Sequence, residues 1–312
     1  MGYPQGEGMK KILISISFLL TTTLGFSAGT GADFLKIGIG ARPVGIGSAF
    51  TAIANDVTAI NWNPGGLSQL TQRQMSAMHS QWIVDSNLDF IGFASPFKSG
   101  VFGGSIIVLS QGEIEGRDAN RQPTASFGAS DMAVTFSFSK NVLLSNKRTL
   151  GLGANLKIIQ QKIESEQATG AALDLGALYH FNGMPFTAGL SIQNLGPQMK
   201  FISEPYNLPL SVTAGFGYNI GGVTIGLDVK QQVYEERTIV SLGTELLPIN
   251  SLALRAGFLA PATNNQSNNT FGDYSGFGGG IGLKLFGTQT DYSFVPYGVL
   301  GNTQRISFSA KF

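Results

Sequence analysis

Residues 210–233 read LSVTAGFGYNIGGVTIGLDVKQQV and contain the pattern that decides the fold. The second half of this stretch alternates apolar with small, polar or charged residues, the apolar ones being Val223, Ile225, Leu227 and Val229. Every second residue of the first half is also apolar or aromatic. Successive side chains of a β-strand point to opposite faces of the sheet. The stretch therefore predicts two antiparallel strands joined by a short turn, each with one apolar face.

The same alternation extends in both directions along the chain, and about fourteen segments of strand length lie between Gln74 and Phe312. A soluble β-sandwich also alternates, but its strands average only about 5–6 residues. Ten residues at ~3.3 Å each, tilted by ~40°, rise about 25 Å, which is the height of the apolar band of an outer-membrane barrel. The sequence therefore predicts an all-β transmembrane fold, a single antiparallel barrel of about 14 strands over residues 71–312.

The lengths of the connections support a barrel independently. The long connections all fall on one side of the alternation, at residues 111–130, 196–209, 260–275 and 296–304. The other side carries short turns, with one longer connection at 140–149. Membrane barrels have short periplasmic turns and longer external loops, whereas a sandwich has no reason to sort its loops by length.

The first 28 residues are predicted to be an upstream start followed by a signal peptide. Lys10 and Lys11 precede an apolar run, and small residues follow at 27–29. This order is typical of secretory signals, and the apolar run is roughly half of the about 20 residues that a membrane-spanning helix needs. We expect cleavage between Ser27 and Thr30, export, and localisation in a bacterial outer membrane.

The composition excludes several classes of function. The chain has 20 basic and 19 acidic residues, no Cys and two His. The balanced charge argues against nucleic-acid binding, and the shortage of Cys and His argues against a metal centre. A G-x-S-x-G pattern at residues 25–29 lies in the signal region, outside the strand-turn-helix context of a catalytic serine. We therefore expect no enzyme activity and no cofactor, and we expect His79 and His180 to be packed or lumenal.

Residues 29–70 are predicted to form a separate N-terminal segment, here called the hatch. It does not alternate, it is rich in small residues that permit close packing, and it has a helix-capable run from Ser48 to Ile60. We expect it to fold inside or against the barrel. Because proline biases the residue before it towards an extended conformation, Asn63 is expected to end the hatch helix and anchor it to the wall. The hatch or gate candidates are Asn55, Asp56, Asn63, Pro64, Gly65 and Gly66.

Charged residues also fall on inward-facing positions of the predicted strands. Mixed charges in a barrel lumen usually pair with one another, and a substrate path is the alternative interpretation. These lumen candidates are Asp174, Asp228, Lys230, Glu245, Arg255 and Lys284.

Three stretches of the hatch carry a resemblance to a known family: residues 34–42 read FLKIGIGAR, 45–56 read GIGSAFTAIAND, and 63–67 read NPGGL. They resemble the opening of the PorV/PorQ family of outer-membrane proteins, a branch of the FadL-type barrels. The similarity continues in the barrel, at 174–179, 194–197, 252–257 and 305–308. The family usually has Asn-Pro-Ala-Gly where this chain has Gly65, and two acidic residues where it has Asn55 and Asp56. The resemblance implies a 14-stranded barrel with an N-terminal hatch.

The resemblance leaves two functions open. The first is a non-enzymatic accessory to protein secretion or surface assembly, like type IX secretion, in which the external loops 111–130, 196–209 and 260–275 hold secreted or surface proteins. The alternative is a FadL-like conduit for hydrophobic small molecules, which needs an apolar pocket near the hatch and a lateral break in the wall. In both cases outer-membrane lipid surrounds the barrel, and in the second a hydrophobic ligand enters the lumen.

Overall fold

The structure, a computed structural model, describes residues 30–112, 115–118, 120–143, 149–261, 276–298 and 301–312. The predicted signal peptide and most of the predicted loop 260–275 lie outside these residues. Within the described part of the chain, no helix combines the length and the hydropathy needed to cross a membrane.

The main body is a closed barrel of fourteen antiparallel strands, which confirms the predicted fold class. The first barrel strand pairs with the last, from Gln74 with Lys311 to Gln81 with Gln304, so the sheet has no free edge. A separate two-stranded hairpin, residues 199–206, lies in the connection between two barrel strands. The strands are β1 (Gln74–Gln81), β2 (Asn87–Phe97), β3 (Gly100–Ser110), β4 (Ala129–Leu143), β5 (Thr149–Ile163), β6 (Glu166–His180), β7 (Phe186–Leu195), β8 (Met199–Phe201), β9 (Glu204–Tyr206), β10 (Ser211–Ile220), β11 (Val223–Gln232), β12 (Arg237–Ile249), β13 (Leu252–Pro261), β14 (Phe277–Leu285), β15 (Thr288–Pro296) and β16 (Asn302–Lys311).

The polarity of the barrel is inverted relative to that of a soluble protein. On β11, Leu227 and Val229 face outward and are each 43% exposed, whereas the polar Thr224 and Asp228 face inward and are buried. Most other long strands share this arrangement, but β2 and β3 also turn Leu88, Phe90 and Ile107 inward, in a cluster with Phe34 of the hatch. A continuous exposed apolar face around a polar interior is what contact with lipid requires. The alternation seen in residues 210–233 therefore divides lipid-facing from lumen-facing side chains.

The hatch contains four short helical pieces, which are Asp33–Lys36, Ala41–Gly45, Ala59–Trp62 and Pro64–Gln69. The short helix expected in the hatch is present, but the helix-capable run from Ser48 to Ile60 is helical only at its end, in Ala59–Trp62, and is otherwise turns, a bend and irregular backbone. The backbone N–H groups of Phe50 and Thr51 donate to the carboxylate of Asp228 at 3.0 and 2.8 Å instead of to helical carbonyls. A side-chain acceptor from the wall thus replaces part of the helical hydrogen-bond ladder.

The hatch lies inside the barrel and runs from one end of the lumen to the other. Its first described residues are at the long-loop end, where the N–H of Gly31 donates to the carbonyl of Asn207 at 3.0 Å. The chain leaves the hatch at the short-turn end, where the backbones of Arg73 and Phe312 hydrogen-bond to each other. β1 begins directly after this contact, so the chain passes through the lumen before it builds the wall.

The middle of the hatch packs against glycines of the wall. A Cβ atom on Gly243 would lie 2.0 Å from the carbonyl oxygen of Ile46, and one on Gly226 would lie 2.3 Å from that of Ala49. Only glycine permits so close an approach between two backbones. Seven neighbouring strands from β5 to β13 each present such a residue, namely Gly153, Gly176, Gly189, Gly215, Gly226, Gly243 and Gly257. These seven residues are called the glycine belt below.

Candidate functional site

Asn63 ties the hatch to the wall at β6. Its side chain is fully buried, and Nδ2 donates to the carbonyls of Thr51, at 2.8 Å, and of Ala177, at 2.9 Å. Its Oδ1 accepts a hydrogen bond from the N–H of Gly65 at 3.1 Å. The backbone of Asn63 is extended, with φ −154°, and the helix Ala59–Trp62 ends immediately before it. Asn63 therefore satisfies three backbone groups that would otherwise be buried without partners.

The two glycines after Pro64 occupy positions with no room for a side chain. A Cβ on Gly65 would lie 2.8 Å from the carbonyl oxygen of Gly151 on β5, and a Cβ on Gly66 would lie 2.1 Å from that of Ala54. Both neighbours are backbone atoms, which cannot move aside as a side chain can. This corner is therefore held by direct contact of backbones.

Arg42 joins three of the predicted residues, although the sequence analysis did not single it out. Its guanidinium forms a two-pronged ion pair with Glu245 on β12, with both N···O distances 2.9 Å. Its Nη1 donates to Asp56 Oδ2 at 2.8 Å and to Asn55 Oδ1 at 2.6 Å. Burial lowers the pKa of Arg42, but the carboxylates of Glu245 and Asp56 outweigh it and hold that pKa above its ordinary value. The hatch is thus fixed to the wall by a permanently charged side chain.

The ion network continues along the wall at the short-turn end of the lumen. Arg255 Nε donates to Glu245 Oε2 at 2.7 Å. Arg255 Nη1 lies 2.8 Å from Asp291 Oδ1, close enough for an ion pair but without the alignment of a hydrogen bond. Lys284 faces the same cavity, of about 190 Å³, and has no ion pair among the described residues. Three of the six lumen candidates therefore meet around Arg42.

Asp174 belongs to a second buried network on β5–β7. Its Oδ2 accepts from Asn155 Nδ2 at 2.8 Å and pairs with Lys157 Nζ at 2.9 Å, while its Oδ1 accepts from the N–H of Asn194 at 2.8 Å. Asp174 is fully buried and Lys157 nearly so. Because both oxygens are used, Asp174 holds the wall together and offers nothing to a ligand.

Asp228 and Lys230 lie next to each other in the lumen but are used differently. Asp228 Oδ2 accepts both hatch N–H groups described above. Lys230 has no ion pair or hydrogen bond within the described residues, and its ammonium lies 5.8 Å from the centre of the Trp62 ring. Both residues line an internal cavity of about 80 Å³, called the polar cavity below.

A second cavity, of about 160 Å³, lies between the hatch and the long-loop end of the wall and is called the apolar cavity below. Its lining is mainly apolar and includes Val44, Leu259, Gly278 and Val295. The ladder between β14 and β15 runs from Leu285 with Thr288 to Gly279 with Phe294, and no backbone pair joins Gly278 to Val295. The pairing of β15 with β16, in contrast, continues to Pro296. Beside the apolar cavity, therefore, β14 and β15 are not paired with each other, although each is paired with its other neighbour.

The expectation that His79 is packed or faces the lumen was wrong. His79 faces outward on β1, because its neighbours Met78 and Ser80 take the buried inward positions. Its Nδ1 lies 2.7 Å from Asp89 Oδ1, and both side chains are more than half exposed on the outer surface. His180 falls on an inward position of β6, as expected. The strand register, which sequence alone left open here, decides this difference.

The protein thus belongs to the class of closed fourteen-strand β-barrels, with an N-terminal segment inside the barrel. The toluene transporter TodX of Pseudomonas putida has the same fold, with a TM-score of 0.62 and 14% identity over 88% of this chain and 96% of that one. A FadL homologue of Pseudomonas aeruginosa gives a TM-score of 0.52 at 11% identity, over 84% of this chain and 95% of that one. At such identities the similarity establishes the fold.

Residues 27–203 match the family described as "Uncharacterised protein family (UPF0164)", and the chain belongs to this family. A UPF0164 protein of Treponema pallidum (strain Nichols) is 24% identical over 219 residues, which cover 62% of this chain and 51% of the relative. The chain thus spans about half the length of that curated relative.

Proposed function

We propose that the protein is a non-enzymatic channel of a bacterial outer membrane that carries hydrophobic small molecules. One observation carries this proposal: the apolar cavity lies between the hatch and a stretch of wall in which Gly278 of β14 and Val295 of β15 are not paired with each other. Ligand pockets are typically concave, mainly apolar and largely preformed. A molecule in this cavity lies beside the end of the β14–β15 pair, where no backbone hydrogen bond between Gly278 and Val295 has to break.

The structural neighbours agree with this proposal at the level of fold. TodX, the first of them, is a toluene transporter. In the present chain the glycine belt packs the hatch against seven strands, which leaves little room for an axial water-filled pore. A route sideways from the apolar cavity, between β14 and β15, avoids that obstruction.

To test this proposal, a larger side chain is introduced on the wall so that it fills the apolar cavity. Gly278→Leu adds a side chain on the inward face, where a Cβ meets Val295 Cγ2 at 3.1 Å, a movable side-chain atom. Gly279→Leu is the matched control, because Gly279 points outward, towards lipid, on the same strand. We expect uptake of radiolabelled toluene by cells carrying Gly278→Leu to fall to the level of cells without the protein, and Gly279→Leu to match wild type. Equal uptake by both variants would rule out this route.

A role in protein secretion rests on the PorV/PorQ resemblance of residues 34–67, and we keep it as the second candidate. It requires the long loops to hold secreted proteins, and the loop 196–209 contains the β8–β9 hairpin. Purification of the native protein from outer membranes separates the two functions. A secreted protein or a large translocon that co-purifies favours secretion, whereas a monomer with a hydrophobic molecule in its lumen favours the channel.

A further inference from the structure

The polar cavity contains buried polar groups that have no partner within the described residues. These are Thr213 Oγ1, Asp228 Oδ1 and Gln232 Oε1, on residues that are 2%, 3% and 8% exposed. Most buried polar atoms in proteins are hydrogen-bonded, and each exception calls for an explanation. Three exceptions around one cavity indicate a site whose partner is supplied from outside the chain.

The same cavity also offers a hydrogen-bond donor. Lys230 lines it, its ammonium lies 5.8 Å from the centre of the Trp62 ring, and it has no hydrogen bond or ion pair among the described residues. A buried ammonium is normally held by a carboxylate or several carbonyls. The cavity therefore presents acceptors and one free donor together.

The polar cavity adjoins the apolar cavity. Ser48 and Leu259 line both of them. A single molecule can therefore place an apolar body beside Gly278 and Val295 and a polar group beside Lys230 and Thr213. The volumes, about 160 and about 80 Å³, fit a one-ring or short-chain compound better than a long lipid.

We propose that the preferred ligand is a small apolar molecule with one hydroxyl group, an alcohol or a phenol, whose hydroxyl lies in the polar cavity. This inference rests on the proposed channel function and names its substrate class. A hydroxyl accepts a hydrogen bond from Lys230 and donates one to Thr213 or Gln232. A hydrocarbon leaves all these groups unpaired. A carboxylate can pair with Lys230, but it is repelled by the free oxygen of Asp228 and has no proton to donate to Thr213 or Gln232.

Three ligands of one shape test the polar group: methylcyclohexane, cyclohexylmethanol and cyclohexanecarboxylate. Binding is followed in nanodiscs by the fluorescence of Trp62. The chain has two tryptophans, and the measurement uses a Trp82→Phe background so that only Trp62 fluoresces. We expect wild type to bind the alcohol most tightly. Equal binding of alcohol and hydrocarbon, or tighter binding of the carboxylate, would overturn the inference.

Variants of the chain test the cavity. Thr213→Val combined with Gln232→Leu removes two acceptors at nearly constant volume, and Thr213→Val alone serves if the double variant does not fold. We expect the double variant to bind the alcohol roughly tenfold more weakly and the hydrocarbon no more weakly. Thr135→Val is the matched control, because Thr135 Oγ1 is also buried without a partner but lines neither cavity. Unchanged alcohol binding in the double variant would show that the polar cavity holds only water.

The two proposals fail in different ways. If none of the three ligands binds and Gly278→Leu changes nothing, the channel function itself is wrong. If the hydrocarbon binds and Gly278→Leu prevents it, but the alcohol gains nothing from Thr213 and Gln232, only the inference about the hydroxyl is wrong.

Discussion

Replacing Arg42 by Met should release the hatch at the short-turn end of the barrel. Methionine keeps an unbranched apolar stem of similar length but loses the contacts to Glu245, Asp56 and Asn55. Removing one partner of a buried ion pair costs about 3–5 kcal/mol. The lower end applies here, since Glu245 keeps its pair with Arg255 and the Asp56 side chain is 20% exposed. We therefore expect a loss of about 3 kcal/mol in hatch docking.

Such a loss shifts the equilibrium between docked and released hatch by roughly a hundredfold, because about 1.4 kcal/mol corresponds to a factor of ten. The closed hydrogen-bond ladder of the barrel does not depend on Arg42 and should remain intact. The measurements are single-channel conductance in planar bilayers, protease sensitivity of the hatch, and heat-modifiable migration on gels as a check of the barrel. Arg42→Met should raise conductance and hatch cleavage without changing migration.

Lys284→Met provides the matched control. Lys284 lines the same cavity as Arg42 but has no ion pair among the described residues, so its loss should leave conductance and cleavage unchanged. The conductance and hatch cleavage of Arg42→Lys should fall between those of Arg42→Met and wild type, because lysine keeps the charge but not the two-pronged contact with Glu245. If Arg42→Met has the conductance and protease resistance of wild type, the ion network does not hold the hatch and the reasoning is refuted.

Three further predictions concern other contacts of the hatch and wall. Asn63→Leu strands two buried carbonyls and the N–H of Gly65, and should weaken hatch docking by about 2–4 kcal/mol, seen as faster hydrogen exchange in the hatch than in the wall. Burial raises the pKa of Glu235, but its hydrogen bond and ion pair with Lys36 outweigh burial and lower that pKa below its ordinary value near 4.5. The Glu235 contact therefore stabilises the start of the hatch above pH 4.5 and is lost as the pH falls through the lowered pKa. Hydrogen exchange around Lys36 should rise in that acid range, and Glu235→Gln should remove the step. Lys157→Met leaves Asp174 charged and buried, and should lower the free energy of unfolding by about 3–5 kcal/mol in a urea titration in liposomes, whereas simultaneous Asp174→Leu should restore part of it.

The alternation of residues 210–233 predicted the strands and their two faces because lipid imposes a strict period of two on a membrane barrel. A strand exposed to lipid cannot exchange its faces without burying charge in hydrocarbon. This is why inward positions such as Asp228 and Glu245 were predictable. The sorting of connections by length was predictable as well, because membrane barrels have short turns at one end and longer loops at the other.

The conformation of the hatch was less predictable, because its backbone is stabilised by distant residues. Helix propensity favoured 48–60, yet the carboxylate of Asp228 competes for the same N–H groups from a strand far along the chain. Arg42 was missed for a similar reason, since its partner Glu245 is distant in sequence. A signal was nevertheless present: Arg42 is the only charged residue between Lys36 and Asp56, in a run of mainly small and apolar residues, and such a charge calls for a buried partner.

The way the hatch is fastened indicates where the barrel can open. Charge fixes it at the short-turn end through Arg42, Asn63 anchors it to β6, and the glycine belt holds its middle by direct backbone contact. Axial opening must break these contacts together, which makes it costly. Beside Gly278, in contrast, the hatch meets a wall stretch with no backbone pair to Val295 and an apolar cavity already present. The cheapest exit from the lumen is therefore sideways, and an apolar molecule that leaves there enters lipid without crossing water.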